Sequence, residues 1–331
     1  MPLPQDIKHL AILMPSWVGD VVMASCVWKM ARAAYPEATI TAVIRPHLAP
    51  LLDNVEEFDN VLPLDMKSSI FAASRKLSEV EADAIILLPN SIRAALIARF
   101  AKIKKRIGYK RNWRTWLLTE SILVIKHKKP TPTTAYYLHL ANEAFGVQET
   151  EAIPSLGPIE SEPEVLQTYD HPIVLLVAGA SKDKKRWAPK YFAQVADSLS
   201  KTGATCVCIG SPDEFELVQE VVKEANTTVH NLTQSGISLG SLPSVIACAD
   251  LMITNDTGPR HLAVATGTPV ITLYGPTDYR WTKYDCANDI SLLADPFLPE
   301  SLVADSNPER CDIDNIPPSD VIASAIPFLK Q

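Results

Sequence analysis

The sequence predicts an α/β protein built from two parallel-sheet domains, and three observations carry that expectation. Short apolar, β-branched runs alternate with longer helix-compatible stretches, as they do when strands lie covered on both faces by helices. A proline- and acid-rich stretch, Pro154 to Pro172, interrupts the alternation near the middle and suits a linker better than a core element. The chain has 331 residues, enough for about two domains.

The elements follow in order. His9–Met14 reads as a strand, Val18–Ala34 as a helix, and Thr39–Ile44, Val61–Leu64 and Ala84–Leu88 as strands, with helices at Met66–Glu79 and Ser91–Phe100. After the linker, Ile173–Val177, Thr205–Ile209, Val229–Leu232, Leu251–Thr254 and Val270–Leu273 supply a second set of strands. Helices fit Lys190–Ser200, Asp213–Ala225, Leu242–Ala249, Arg260–Ala265 and Pro317–Leu329. The domains are therefore placed at 1–160 and 161–331, with the last helix a candidate to pack back on the first. Sheets of this kind bind ligands at their strand ends, so a cleft between facing sheets is expected to hold the functional residues.

Composition narrows the function. Hydrophobic residues make up 47% and charged residues 21% of the chain, and the formal charge is −7. That balance disfavours a disordered chain or one built mainly to wrap nucleic acid. No leader and no apolar run long enough to span a membrane is evident, which points to the cytoplasm. The six cysteines lack CxxC spacing, several sit in apolar runs, and they read as reduced structural thiols.

Three strand-to-helix loops carry candidate chemistry. Met14-Pro-Ser-Trp-Val-Gly-Asp20 ends at a helix start, where Asp20 is either a general base or an ordinary first-turn acid. Val177-Ala-Gly-Ala-Ser-Lys-Asp-Lys-Lys-Arg-Trp187 offers Lys182, Lys184, Lys185 and Arg186 to a phosphate, or is a solvated basic loop. In Ile253-Thr-Asn-Asp-Thr-Gly-Pro-Arg-His261, Thr257 and Gly258 would open a helix whose N-terminus suits a pyrophosphate. His261, one turn on, is a ligand-facing or a core histidine. The glycine fingerprints of P-loop enzymes and dehydrogenases are absent. Asp312-Ile-Asp314 has a cation-binding spacing but lies in a Pro-rich turn, so no metal site is assigned.

Taken together, Pro15-Ser-Trp-Val-Gly-Asp20, Lys185-Arg-Trp187, Asn255-Asp-Thr-Gly258 with His261, and Leu273-Tyr-Gly-Pro-Thr277 occur in the order and approximate spacing of glycosyltransferase family 9. The sequence resembles that family, the bacterial lipopolysaccharide heptosyltransferases, over nearly its whole length, and its Ser-Trp-Val-Gly-Asp form resembles the heptosyltransferase II branch. Arg106-Ile-Gly-Tyr109 and Trp113-Arg-Thr-Trp-Leu-Leu118 are also similar to that branch.

The resemblance implies a GT-B fold, two Rossmann-like domains with the acceptor on the first and the nucleotide-sugar on the second. It implies an inverting, metal-independent transfer of heptose from ADP-heptose to a lipopolysaccharide inner-core acceptor, with no cofactor. Asp20 would be the catalytic base. Lys185, Arg186, Asp256, Thr257, Gly258, Arg260 and His261 would bind the donor, and Ser16, Trp17, Gly19, Arg106 and Arg114 the acceptor. Pro259-Arg260 departs from the family pattern, as does Gly240 where an acid is usual after Ser238-Leu239. Another donor or acceptor, or a nucleotide-sugar binder without turnover, is the alternative.

Lys102–Arg114 gathers seven cations with Tyr109 and Trp113 in an otherwise acidic chain. It suits an anionic, lipid-linked acceptor and a peripheral contact with the inner face of the inner membrane, or is simply a solvated face. No nucleic-acid recognition fold accompanies it.

Overall fold

The computed structural model describes residues 2–4, 6–125, 130–157, 159, 163–295 and 311–329. Part of the proline-rich linker therefore lies outside the described residues. The chain divides into two compact units, Met1–Pro158 and Ile159–Gln331, where the sequence places the change at 160/161.

The first unit runs β1 (His9–Leu13), α1 (Val18–Met23), α2 (Ser25–Ala34), β2 (Thr39–Ile44), β3 (Asn60–Pro63), α3 (Ile70–Ser78) and β4 (Ala84–Leu87). It continues with α4 (Ile92–Phe100), β5 (Lys105–Tyr109), β6 (Glu120–Ile122) and α5 (Thr133–Phe145). Its six strands lie in the order β3-β2-β1-β4-β5-β6, and every pairing is parallel. Leu10 of β1 faces Ile40 on one side and Ala84 on the other. The central strands are mostly apolar because both their faces are covered. Ser69 and Ser91 cap α3 and α4 by accepting the Ala72 and Ala94 amides.

The single helix expected over Val18–Ala34 is two. Ala24 leaves the helical region, with φ −86° and ψ 3°, and its amide donates to both the Asp20 and Val21 carbonyls. The tightened turn ends α1 and redirects the chain. β5, β6 and α5 add to the expected elements.

The second unit comprises β7 (Ile173–Val177), α6 (Pro189–Ser200), β8 (Thr205–Cys208), α7 (Phe215–Glu224), β9 (Val229–Asn231) and α8 (Leu242–Ala247). Then come β10 (Leu251–Asn255), α9 (Gly258–Thr266), β11 (Val270–Tyr274), β12 (Asp289–Leu293) and α10 (Pro318–Leu329). Its sheet, also parallel throughout, has the order β12-β11-β10-β7-β8-β9. Its core joins Trp187 and Phe192 to the inward faces of β7, β10 and β11.

α10 corrects one expectation. It packs against α6 and the strands β10, β11 and β12 of its own unit, because its apolar Val321 and Ala325 are buried in that unit's core. Cys26, Cys206, Cys208 and Cys311 are buried. No helix of the described residues is long and apolar enough to cross a membrane.

Candidate active site

An open parallel sheet offers a ligand crevice at the carboxyl ends of its strands, where the strand order reverses. The first sheet reverses between β1 and β4, the second between β7 and β10. The Asp20 loop follows β1. The basic loop follows β7, and the Asp256–Gly258 turn follows β10.

On the second unit the sequence-predicted residues converge. A 3-10 turn, Asp183–Lys185, brings the Lys185 Nζ to 2.8 Å from Asp256 Oδ2, and the same oxygen accepts the Thr277 hydroxyl at 3.1 Å. Burial opposes the charge on Asp256, but Lys185 beside it, with Arg260, overcomes that and holds the carboxyl below its ordinary value. Asp256 therefore stays ionised at neutral pH.

Fully buried Asn255 ties the two loops together. Its Nδ2 donates to the Ala178 carbonyl at 2.7 Å, and its Oδ1 accepts the Trp187 amide at 3.1 Å. Trp187 is anchored in turn by its indole N–H on the Ile316 carbonyl at 3.1 Å. Thr257 is the extended N-cap of α9, with no side-chain cap bond, and Gly258 opens the helix. The first amides of a helix lack partners within it. Pro259 contributes no amide and the Arg260 amide donates to the Thr257 carbonyl, so the amides on offer are those of Thr257 and Gly258, both half-exposed residues next to Asp256.

Three donor candidates are turned elsewhere. Arg260 has no exposed surface; its guanidinium donates to the Thr282 carbonyl at 2.9 Å and pairs with Asp289 at 2.7 Å, between the Tyr274 and Tyr284 rings. The helical phase after Pro259 directs it into the core, which corrects its expected role on phosphate. Arg186 closes its own loop on the Ala180 carbonyl and Asp183. His261 is also internal, with Nδ1 2.5 Å from the Tyr284 hydroxyl. Burial, reinforced by Arg260, pushes its imidazole down to about 3, so it is neutral.

The Asp312-x-Asp314 pair is engaged in local structure. Asp312 accepts the Asp314 amide at 3.1 Å, and Asp314 accepts the Ala188 amide at 2.9 Å.

On the first unit, Asp20 lies in the first turn of α1 with Trp17 as N-cap. Half-buried, its carboxyl is raised above the usual aspartate value by burial. Tyr137 of α5 is its buried neighbour; burial lifts that phenol well above its usual value, and the Asp20 charge adds to the shift. Ser16 is half-buried, Gly19 buried, and Trp17 70% exposed.

The two acceptor arginines differ, Arg114 being buried and Arg106 half-exposed. Arg114 is fully buried and donates to the carbonyls of Tyr109 and Pro89 and to Asn90 Oδ1. Arg106 donates to the carbonyls of Leu117 and Ile103. For Arg114 this corrects the expected contact with acceptor: the turn after β5 aims its side chain at backbone carbonyls that end neighbouring elements, and such acceptors need donors when buried.

The chain around Arg114 is strained. Asn112 and Trp113 have φ of 53° and 58°. Left-handed backbone at a bulky residue costs on the order of 1–3 kcal/mol and persists only where the surroundings enforce it.

A family model described as glycosyltransferase family 9 (heptosyltransferase) matches residues 70–295. The chain belongs to glycosyltransferase family 9. It is 29% identical to lipooligosaccharide heptosyltransferase 2 of Haemophilus influenzae over 298 residues, 83% of this chain and 85% of the relative. It is 27% identical to lipopolysaccharide heptosyltransferase 2 of Escherichia coli over 82% of this chain and 84% of that one. The solved E. coli ADP-heptose heptosyltransferase II shares the fold, with TM-score 0.83 and 24% identity over 97% of this chain and 98% of that chain. A family 9 transferase from Veillonella parvula does so too, with TM-score 0.83 and 22% identity over 99% of both chains. The two-sheet GT-B architecture expected from the sequence is the architecture of these enzymes.

In this family 9 glycosyltransferase, Lys185, Asp256, Thr257 and Gly258 gather at one sheet edge, and Asp20, Trp17 and Gly19 at the other unit's corresponding edge. Sequence reasoning missed Asn90, Tyr137 and Thr277. Thr277 was within the Leu273-Tyr-Gly-Pro-Thr277 motif. Asn90 and Tyr137 carry no local signal, since their importance comes from strands and a helix far apart in the chain.

Proposed function

We propose that this enzyme transfers heptose from ADP-heptose to a lipopolysaccharide inner-core acceptor, with inversion at the anomeric carbon and without a metal. The observation that carries it is the placement of a raised-pKa carboxylate, Asp20, and a lysine-backed helix N-terminus, Lys185 with Thr257–Gly258, each at the reversal point of its own sheet.

The chemistry follows from those groups. Asp20 accepts the proton of an acceptor hydroxyl as its oxygen forms a bond to the anomeric carbon. The bond from that carbon to the diphosphate oxygen breaks, and ADP leaves with the electron pair. Lys185 and the Thr257 and Gly258 amides receive the negative charge on the diphosphate. The relatives are named as lipopolysaccharide and lipooligosaccharide heptosyltransferases, and a solved relative as acting with ADP-heptose; both support the substrates assigned. The cation-rich 102–114 segment supports an anionic, lipid-linked acceptor and a site of action at the cytoplasmic face of the inner membrane.

Calorimetric titration with ADP, UDP, GDP and NAD tests the donor, with ADP expected to bind tightest. Transfer from ADP-heptose should then persist in excess chelator and yield the opposite anomer by NMR. Preference for another nucleotide, loss of transfer in chelator, or retention of configuration would each overturn the corresponding part.

A further inference from the structure

We infer that the turn Lys110–Arg114 holds the acceptor, the Trp113 indole stacking on a sugar ring beyond the reacting one while Lys110 and Arg111 meet its anionic groups. The inference rests on the transferase function proposed above and assigns its acceptor specificity.

The turn is built to display one side chain. Trp113 is 92% exposed although its backbone is left-handed, a conformation that glycine would adopt without strain. Its position is nevertheless fixed from both sides. Asn112 Nδ2 donates to the Asn90 carbonyl at 3.1 Å, and the buried Arg114 guanidinium grips Tyr109, Pro89 and Asn90. Arg114, expected from the sequence to touch the acceptor, is instead a positioning residue for the indole beside it.

Place and charge name the ligand. The turn follows β5, two strands from β1, whose loop carries Asp20, and all these strands are parallel. Neighbouring strands lie about 4.8 Å apart, so the two strand ends are separated by about 10 Å, the reach of a second sugar on the same oligosaccharide. Between Ile92 and Leu118 there are nine cations and no acid in a chain of net charge −7, and Lys110 and Arg111 are exposed. A sugar ring presents a face of C–H groups that packs on a rigid indole, while its carboxylate or phosphate substituents need cations. A bulky exposed aromatic flanked by cations at the edge that carries the base fits an anionic oligosaccharide.

The test compares wild type with Trp113→Gly and Trp113→Phe, using a delipidated, water-soluble inner-core oligosaccharide that carries carboxylates and phosphates. Trp113→Gly should raise the acceptor KM by at least about tenfold. The kcat at saturating acceptor and the ADP affinity should be unchanged, and the thermal midpoint no lower than wild type because the strain is relieved. Trp113→Phe should recover most of the KM. An unchanged KM in Trp113→Gly with active wild type overturns the inference alone. So does a defect seen only when the acceptor is embedded in phosphatidylglycerol-containing vesicles, which would assign the indole to the lipid surface. Wild type that neither transfers to nor binds the oligosaccharide, by indole fluorescence, overturns the inference and the acceptor assignment together, while the ADP titration judges the donor separately.

Discussion

Asp20 illustrates how a half-buried carboxylate burdens the fold. Burial raises its carboxyl above the unfolded value of 3.8, so between those two values the native state holds more protons than the unfolded chain. Stability then falls as pH rises through that window, and the penalty is fully present at neutral pH. Asp20→Asn carries no such penalty. It should unfold at a higher denaturant concentration than wild type at neutral pH while losing transfer by at least ~10²-fold, with ADP affinity retained. The acid limb of the wild-type kcat profile should lie above the ordinary aspartate value and vanish in the variant. Equal rates would remove Asp20 from catalysis. Asp20 and Lys185 could be singled out in the sequence because each follows closely on an apolar run. Arg260 and Arg114 were misread for the opposite reason. A cation one residue either way on a helix or turn faces solvent or core, and no local pattern distinguishes the buried guanidinium from the exposed one.

At the level of elements, the Lys185 loop and the start of α9 form one device joined by a buried ion pair, whose side chains are 19% and 11% exposed. Removing one partner leaves the other charge inadequately compensated, whereas removing both does not. Lys185→Met should therefore lower both stability and ADP affinity. Asp256→Asn added to it should restore much of the stability while affinity stays at least about tenfold weaker than wild type. Denaturant melts and ADP calorimetry on the two variants separate these effects, and full recovery of affinity in the double variant would exclude Lys185 from phosphate binding. The strands of this device were legible as apolar runs. β5 was not, because Lys105-Arg-Ile-Gly-Tyr109 has the composition of a surface loop and is a strand only through its pairing with β4 and β6. The break between α1 and α2 was equally silent, since Ala24 is a good helix former and leaves the helix for tertiary reasons.

At the scale of the molecule, two parallel sheets with separate cores make unfolding by more than one transition the natural expectation. A ligand stabilises the part that binds it by about 2.7 kcal/mol at one hundred times its Kd. ADP should accordingly slow amide exchange in β7, β10 and α9 far more than in β1, β4 and α5. Equal protection of both units would place the nucleotide elsewhere.

The indole of Trp187, two residues past Lys185, hangs on the carbonyl of Ile316, and the next amide on Asp314. The second unit can therefore not finish folding on the ribosome when its last strand emerges. It must wait for some twenty residues more, during which its core stays unsealed. A premature stop shortly after β12 would leave every strand in place and still yield a protein whose 183–188 loop has lost its anchors.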